Sequence, residues 1–519
     1  MLWRTSLHHL TKTGFLASWE LAQGGQHYFS LLRSSERFLR KPASLDPVGT
    51  SHSKLDLQLP VACSSRCGDT SSESQDLIDH EAVDLTGCQD PDPWVNTHPF
   101  NGGKIMTNTL IVGVDVHRKT NTFCLMDSGG QEVRSRFTLD NNRPGTQAFI
   151  QQVAELMEAD GFSELQVAAE ASGWYWFHFF QSLQQDALLS AWPVDLHALN
   201  PRLTANFKKS YVDMDKDDPI DAFVIADRLR WGRDIGTSFE YDETYLPLRF
   251  LTRYRYHVVH NLAREKAYCL AILYLKASEY SRQDKKPFSD LFGAASRAVI
   301  QEFASIEEIA AIPFEELVEF IDLKGKRRFP DPSENARLLK QIAQDSYPLP
   351  EALQPPINLI LNLSLKQISA LENQEERLNT AIAERVASIP NTLQTIPGFG
   401  PVLTAGILAE IGNPQRFNYD QAKVAKFAGF KWRKTGSADF KADETRMTRT
   451  GNPYLRYYFC EAAYSVQKCD REYGDYFQRK LQEVRKHAYK RATVLTARKL
   501  VRLVMRLLAT NQPYRLRRV

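Results

Sequence analysis

Long apolar runs are missing from this 519-residue chain, so nothing in it is a candidate for a membrane-spanning helix. Cysteine is scarce as well. The seven cysteines are scattered and form no C-x-x-C pair, which argues for reduced thiols in a cytosol and against structural zinc. The N-terminus has no apolar signal-peptide core. Net charge is also low, at +3, so the chain as a whole shows no strong preference for a polyanion. What remains is an ordinary globular composition, 43% hydrophobic and 24% charged, long enough for two to four domains.

The small net charge hides an uneven distribution. From Lys431 to Val519 there are 22 Lys and Arg against 8 Asp and Glu. Such a basic tail suits a nucleic-acid partner. The first hundred residues are the opposite kind of sequence, rich in Ser, Gly, His, Asp and Pro and without helical or strand periodicity. Residues 1–105 are therefore expected to be a disordered extension, or to precede a working start at Met106, although the basic, acid-poor first 19 residues vaguely resemble a transit peptide.

Folded structure is expected from residue 106. Thr109 to His117 is a β-branched strand carrying one carboxylate, Asp115. Thr122 to Met126 is a second strand, Ser128-Gly-Gly130 a hairpin turn, and Glu132 to Leu139 a third strand. A helix over 146–160 follows, then a strand, Leu165 to Glu170, ending in a second isolated acid. Gly173 to Gln185 reads as a helix with Trp174, Tyr175, Phe177, Phe179 and Phe180 in the core. Ala187 to Val194 reads as a fifth strand. Two helical stretches complete the domain, the second starting near Asp218.

On that second helix Asp218 and Asp221 stand at i and i+3, on one face. Each acid has an ordinary explanation. Asp115 could be a solvated strand-end carboxylate, Glu170 a helix cap, and Asp218 with Asp221 the acidic first turn of a helix that also carries Pro219. Together, in this order on this strand pattern, they match an RNase H-like (RuvC-like) α/β fold. There, acid-only ligands hold divalent metal while leaving room for phosphate oxygens.

Residues 237–390 read as a helical linker. Arg249 to Ala277 is one long helix, and Ile357 to Ile389 is a second with a heptad seam. That seam fits an antiparallel coiled coil, a dimer contact or an ordinary core helix equally well. Residues 391–519 form a basic, mostly helical domain. Ile396-Pro-Gly398-Phe-Gly400 reads as a helix-hairpin-helix-like turn, whose glycines would let backbone approach phosphate ahead of a helix N-terminus. Lys431, Arg433, Lys434, Arg446, Arg449 and Arg456 are candidate nucleic-acid contacts. The helix over 489–508 carries Lys490, Arg491, Arg498, Lys499, Arg502 and Arg506, a further candidate phosphate track.

Gly113-Val-Asp115-Val-His-Arg-Lys119, Ala169-Glu170-Ala-Ser-Gly173 and Lys216-Asp217-Asp218-Pro-Ile-Asp221-Ala222 resemble the three motif blocks of the DEDD insertion-sequence transposases (the insertion-sequence one-ten family). Ile396-Pro-Gly-Phe-Gly400, Ala428-Gly-Phe430 and Gly451-Asn-Pro-Tyr-Leu-Arg456 resemble the C-terminal domain of the same family. The resemblance implies a RuvC-like domain over 106–236 whose catalytic and metal-binding tetrad is Asp115, Glu170, Asp218 and Asp221, using Mg²⁺ or Mn²⁺. Asp217 departs from the small polar residue usual there and reads as a neighbour. The resemblance also implies a serine nucleophile in the C-terminal domain. By spacing that serine is Ser437, with Thr435 as runner-up because Thr435-Gly-Ser-Ala438 departs from the family's Ser-Gly. Donor and target DNA, a structured non-coding RNA, a dimer or tetramer and a cytoplasmic, nucleoid-associated location are implied too. Two alternatives stay open: a RuvC-like, metal-dependent junction endonuclease that uses water without a covalent intermediate, and an inactive nucleic-acid-binding relic.

Overall fold

The computed structural model describes residues 108–211, 217–233, 235, 238–281, 286–432, 436–437, 440–441, 447–448 and 450–515. The expected N-terminal extension, and with it Met106, lies outside them. The chain divides into two compact units, one ending at Glu240 and one from Tyr241 onward.

The first unit is a five-stranded sheet in the order β3-β2-β1-β4-β5. Its strands are β1 (Thr109–Val116), β2 (Thr120–Met126), β3 (Glu132–Asp140), β4 (Glu164–Glu170) and β5 (Val194–Leu199). The first three pair antiparallel, whereas β1–β4 and β4–β5 pair parallel. This mixed sheet with helices fits the α/β RNase H-like expectation.

Strand alternation splits the sheet into two faces. Leu110, Val112 and Val114 of β1, with Leu165, Val167 and Ala169 of β4, pack against helices α1 (Arg143–Ala159) and α2 (Phe177–Gln185). Ile111 and Ala168 belong to the opposite face, with Ala222, Ile225, Ala226 and Leu229. After the short α3 (Pro201–Lys208), α4 (Asp218–Arg230) supplies those last four residues. The same period of two assigns Asp115 and Glu170 to the α4 face, one residue beyond Val114 and Ala169, which are partners in register.

Helix α4 lies against the sheet because Gly113 has no side chain. A Cβ there would sit 2.2 Å from the Ala222 carbonyl oxygen and 2.3 Å from the Ala226 nitrogen. Both are backbone atoms that cannot step aside without moving the helix.

Two expectations need correcting. Trp174 and Tyr175 are not core: they are 42% and 50% exposed. The helix starts only at Phe177, so helical periodicity reaches no further back than Trp176, which is buried with Phe179, Phe180 and Leu183. The fifth strand is also displaced. Leu189–Ala191 forms a 3-10 turn, and the strand starts after Pro193. Asp195 and His197 interrupt its apolar pattern, but pairing with β4 from Leu165↔Val194 onward fixes it there.

Among the described residues the second unit is helical, apart from a short ribbon of β6 (Gly436–Ser437) and β7 (Phe440–Lys441). Between its two long helices, α5 (Tyr245–Lys276) and α10 (Gln354–Ala387), come α6 (Ala294–Glu302), α7 (Ile306–Ala311), α8 (Phe314–Lys324) and α9 (Pro332–Asp345). The long helices run antiparallel: Arg255 pairs with Glu375 at 2.7 Å, Glu265 accepts from Ser364 at 2.6 Å, and Lys276 donates to Asn358 at 2.6 Å. The apolar seam predicted on α10 is thus filled largely within the chain, with Ile357, Leu361, Ile368 and Leu371 buried alongside Leu262, Leu270 and Leu273 of α5.

Toward the C-terminus come α11 (Pro401–Ile411), α12 (Gln421–Ala428), α13 (Pro453–Cys469), α14 (Arg471–Gln482) and α15 (Ala488–Thr510). Their core contains a charged joint. Glu410, 1% exposed, accepts from Arg253 Nε at 2.7 Å and Nη2 at 2.8 Å, and from Asn452 Nδ2 at 2.6 Å. Asn452 in turn caps α13 through the Tyr454 and Leu455 amides.

Two stability predictions follow from these contacts. Gly113→Ala is expected to destabilise the first unit by about 1–3 kcal/mol through overpacking; an unchanged denaturant midpoint would refute the close contact. Glu410→Ala strands the Arg253 guanidinium and is expected to cost about 3–5 kcal/mol. A loss below about 1 kcal/mol in the same titration would show that the joint is dispensable.

Candidate active site

The α4 face of the sheet gathers the predicted acids. Asp115 is the last inward-pointing residue of β1 on this face, and Glu170 ends the neighbouring β4. Asp218 and Asp221 fall in the first turn of α4, where the helix dipole favours anions. Asp217 is the helix N-cap residue. Its side chain makes no capping bond, and its carbonyl accepts from the Asp221 amide at 3.0 Å.

Asp115 shows how crowded this negative charge is. Burial pushes its carboxyl up to about 6; His117 opposes that, while Asp221 and Asp218 add like-charge repulsion. Glu170 is also raised, first by burial and then by Asp115 and Asp221. All four acids therefore share one electrostatic neighbourhood. Among the described residues, two nitrogen-bearing side chains face it. Lys208 of α3 forms an ion pair with Asp221, and His117 Nδ1 lies 3.7 Å from Asp115 Oδ2.

His117 was not singled out from the sequence. One ligand atom each from Asp115, His117 and Asp218 lies within 4.8 Å of the other two, a separation one cation can bridge. Glu170 and Asp221 stand outside that tightest group. The available signal was spacing: two residues past Asp115 on an extended chain, His117 shares its face. Lys208 could not be found this way, since only tertiary packing brings α3 to α4.

In the second unit the candidate contacts fare unevenly. Gly398 takes a left-handed backbone (φ 86°) and packs on Ser465, whose hydroxyl donates to the Gly398 carbonyl at 2.7 Å. Gly400 is the exposed N-cap of α11, and a Cβ placed there would meet nothing within 4 Å. Lys431 is exposed. Arg456 donates to the Ala428 carbonyl at 3.1 Å, closing the C-terminus of α12. Ser437 lies in β6, its backbone paired with Phe440. Arg433, Lys434, Thr435, Arg446 and Arg449 lie outside the described residues. The expected phosphate track on α15 is partly spent internally: Arg491 pairs with Glu483 at 2.7 Å, Lys499 with Glu472 at 2.8 Å, and Arg498 donates to Gln421 at 2.7 Å. Arg502 and Arg506 are exposed.

The raised Asp115 carboxyl has a consequence for stability. Its folded value, about 6, exceeds its ordinary 3.8, so the folded state binds this proton more tightly. That contribution is complete below pH ~4 and is lost as pH rises through ~6. Compared in EDTA, Asp115→Asn and the parent chain should be equally stable near pH 4. By pH 8 the variant should be ahead by about 1–3 kcal/mol. A stability difference that does not change with pH would sink this account.

Comparison with known protein families agrees with the geometry. A DEDD transposase model of the IS110 type, described as "Transposase", matches residues 112–276. A second model, described as "Transposase IS116/IS110/IS902 family", matches residues 391–478. No curated protein matches the chain. With the acid-bearing sheet under the first match and the helical C-terminal region under the second, the chain belongs to the IS110 family of DEDD transposases, enzymes of DNA recombination.

Proposed function

We propose that Asp115, Glu170, Asp218 and Asp221 hold divalent metal, Mg²⁺ in the cell, and that this site cuts and rejoins DNA strands together with Ser437. The observation that carries the reading is the convergence of the four carboxylates on one sheet face, with Asp115 and Glu170 both pushed toward protonation. The donor set fits the group: hard anionic oxygens suit Mg²⁺, and repulsion among them is relieved by a cation. His117 is a candidate additional ligand, although an imidazole is a softer donor than Mg²⁺ prefers. When bound, the metal would supply Lewis acidity and neutralise charge on phosphate oxygens.

The chain's own groups would do the rest. Gly113 and the two alanines of α4 fix the acids relative to one another. Lys208 restrains the Asp221 carboxylate. The Ser437 hydroxyl would attack phosphorus and surrender its proton, while the displaced sugar oxygen gains one, leaving a phosphoserine diester whose reversal rejoins a strand. Exposed Lys431 and the open N-terminus of α11 would offer sequence-independent phosphate contacts, joined by Arg433, Lys434, Arg446 and Arg449, whereas Gly398 and Arg456 would support this surface from within the fold through Ser465 and the Ala428 carbonyl. A structured non-coding RNA and a homo-oligomer belong to this reading through the family resemblance, and the basic C-terminal stretch is compatible with both nucleic acids.

The test is strand cleavage of DNA carrying the sequences that flank the gene, in Mg²⁺. Asp115→Asn and Glu170→Gln should each lower product by more than about a hundredfold. Ser437→Ala should lose the covalent protein–DNA adduct that survives detergent. Parent-level cleavage by the acid variants would sink the metal site. An adduct that persists in Ser437→Ala but disappears in Thr435→Ala would move the nucleophile to Thr435, and cleavage with no adduct in any form would favour a water-using endonuclease.

A further inference from the structure

The first unit has a groove of about 790 Å³ that the acid cluster does not use. Arg118, Asn141, Arg143, Trp174, Tyr175 and His178 line it. Its aromatic wall, Trp174 and Tyr175, is the exposed pair that the sequence pattern had assigned to the core. The two are consecutive and both line the groove, so they present adjoining aromatic surface to it. Local structure keeps them outside. Gly173 turns the chain with φ 78°, and Trp176 anchors the turn by donating its indole N–H to the Gly173 carbonyl at 3.0 Å. Trp174 stacks on Trp176 at a centroid distance of 6.2 Å and a 22° angle, so one indole is backed by protein while it remains open to the groove.

The lining is also basic. Arg118 and Arg143 are exposed, and neither forms an ion pair among the described residues. The lining's carboxylate, Asp186, accepts from Gln147 Nε2 at 3.3 Å and the Leu188 amide at 2.9 Å. Two arginines against one carboxylate leave the lining formally positive. A concave site with aromatic faces and guanidinium groups matches the chemistry of an unpaired nucleotide, whose base stacks while its phosphate meets the arginines. Bases inside a duplex present no free face for such stacking.

The groove opens at the same strand ends as the acid cluster but on the opposite face of the sheet, where α1 and α2 supply Arg143, Gln147 and His178. Arg118 follows Asp115 by three residues and Trp174 follows Glu170 by four. Asn141 ties these two stretches together, donating to the His117 carbonyl at 2.8 Å and the Tyr175 carbonyl at 3.2 Å. We infer that this groove takes an unpaired nucleotide of the DNA substrate, with its base on Trp174 and Tyr175 and its phosphate against Arg118 and Arg143. The inference rests on the proposal that the acids act on DNA, since that brings a substrate strand to the strand ends where the groove opens.

The test measures binding by the full chain in EDTA, so that cleavage does not enter. The probe is a fluorescent 20-nucleotide single-stranded DNA, compared with its duplex and with RNA of the same sequence. Trp174→Ala should weaken single-strand binding about tenfold or more, while Trp174→Phe stays within about twofold of the parent. Duplex binding should change by less than about twofold in both. Arg118→Ala should lower the slope of log K against log salt by about 0.7, which reads the phosphate contact even if Trp174→Ala folds poorly. Parent-level affinity in Trp174→Ala, or equal losses for single strand and duplex, would overturn the inference. A loss confined to the RNA probe would assign the groove to RNA and overturn it as well. If Asp115→Asn still cleaves while Trp174→Ala binds poorly, the acid assignment fails and the groove stands.

Discussion

The close approach of α4 to the centre of the sheet is the contact on which the rest of the first unit depends. Gly113 allows it, and Ala222 and Ala226 present only small side chains to the interface. Dispersion and hydrophobic burial between flat surfaces then hold the helix down. Because the contact lies two residues before Asp115 and, at Ala222, one turn past Asp218 and one residue past Asp221, it also fixes how near the acids come to one another. A single added methyl group at Gly113 would lift the helix and separate the carboxylates together. Packing and chemistry here are one constraint.

The cost of that arrangement is electrostatic. Four carboxylates gather on one sheet face, and burial makes the charges of Asp115 and Glu170 harder to screen. The protein offsets part of this with Lys208 and His117, and part by the raised proton affinity of Asp115 and Glu170. Such a site is less stable than an apolar one would be, a common feature of functional sites. Elsewhere in this unit Trp174 and Tyr175 stay exposed, and Trp174 is held by stacking on Trp176, which joins the core.

The second unit uses charge differently. Its basic excess suggests a surface devoted to phosphate, yet many of those cations work inside the fold. Arg253 locks onto Glu410, Arg456 closes the end of α12, and Arg491, Arg498 and Lys499 have intramolecular partners. Composition records how many positive charges there are and not how many remain free for a partner.

Much of the site was nevertheless legible in the sequence. Strand β1, the order of acids and the helix starting at Asp218 could be read because period-two alternation, helix-start chemistry and motif spacing are local properties. Trp174 and Tyr175 were misassigned because helical periodicity cannot say where a helix begins. Strand β5 was misplaced because partner pairing, and not its own composition, decides its register. His117 was within reach of the two-residue rule, and Lys208 was not. By itself the sequence determined which residues carry acid, aromatic and basic chemistry and along which local elements they repeat. Only tertiary structure decided which face of the sheet each acid shares, which cations answer them and which arginines stay open, since those depend on the close contact between elements far apart in the chain.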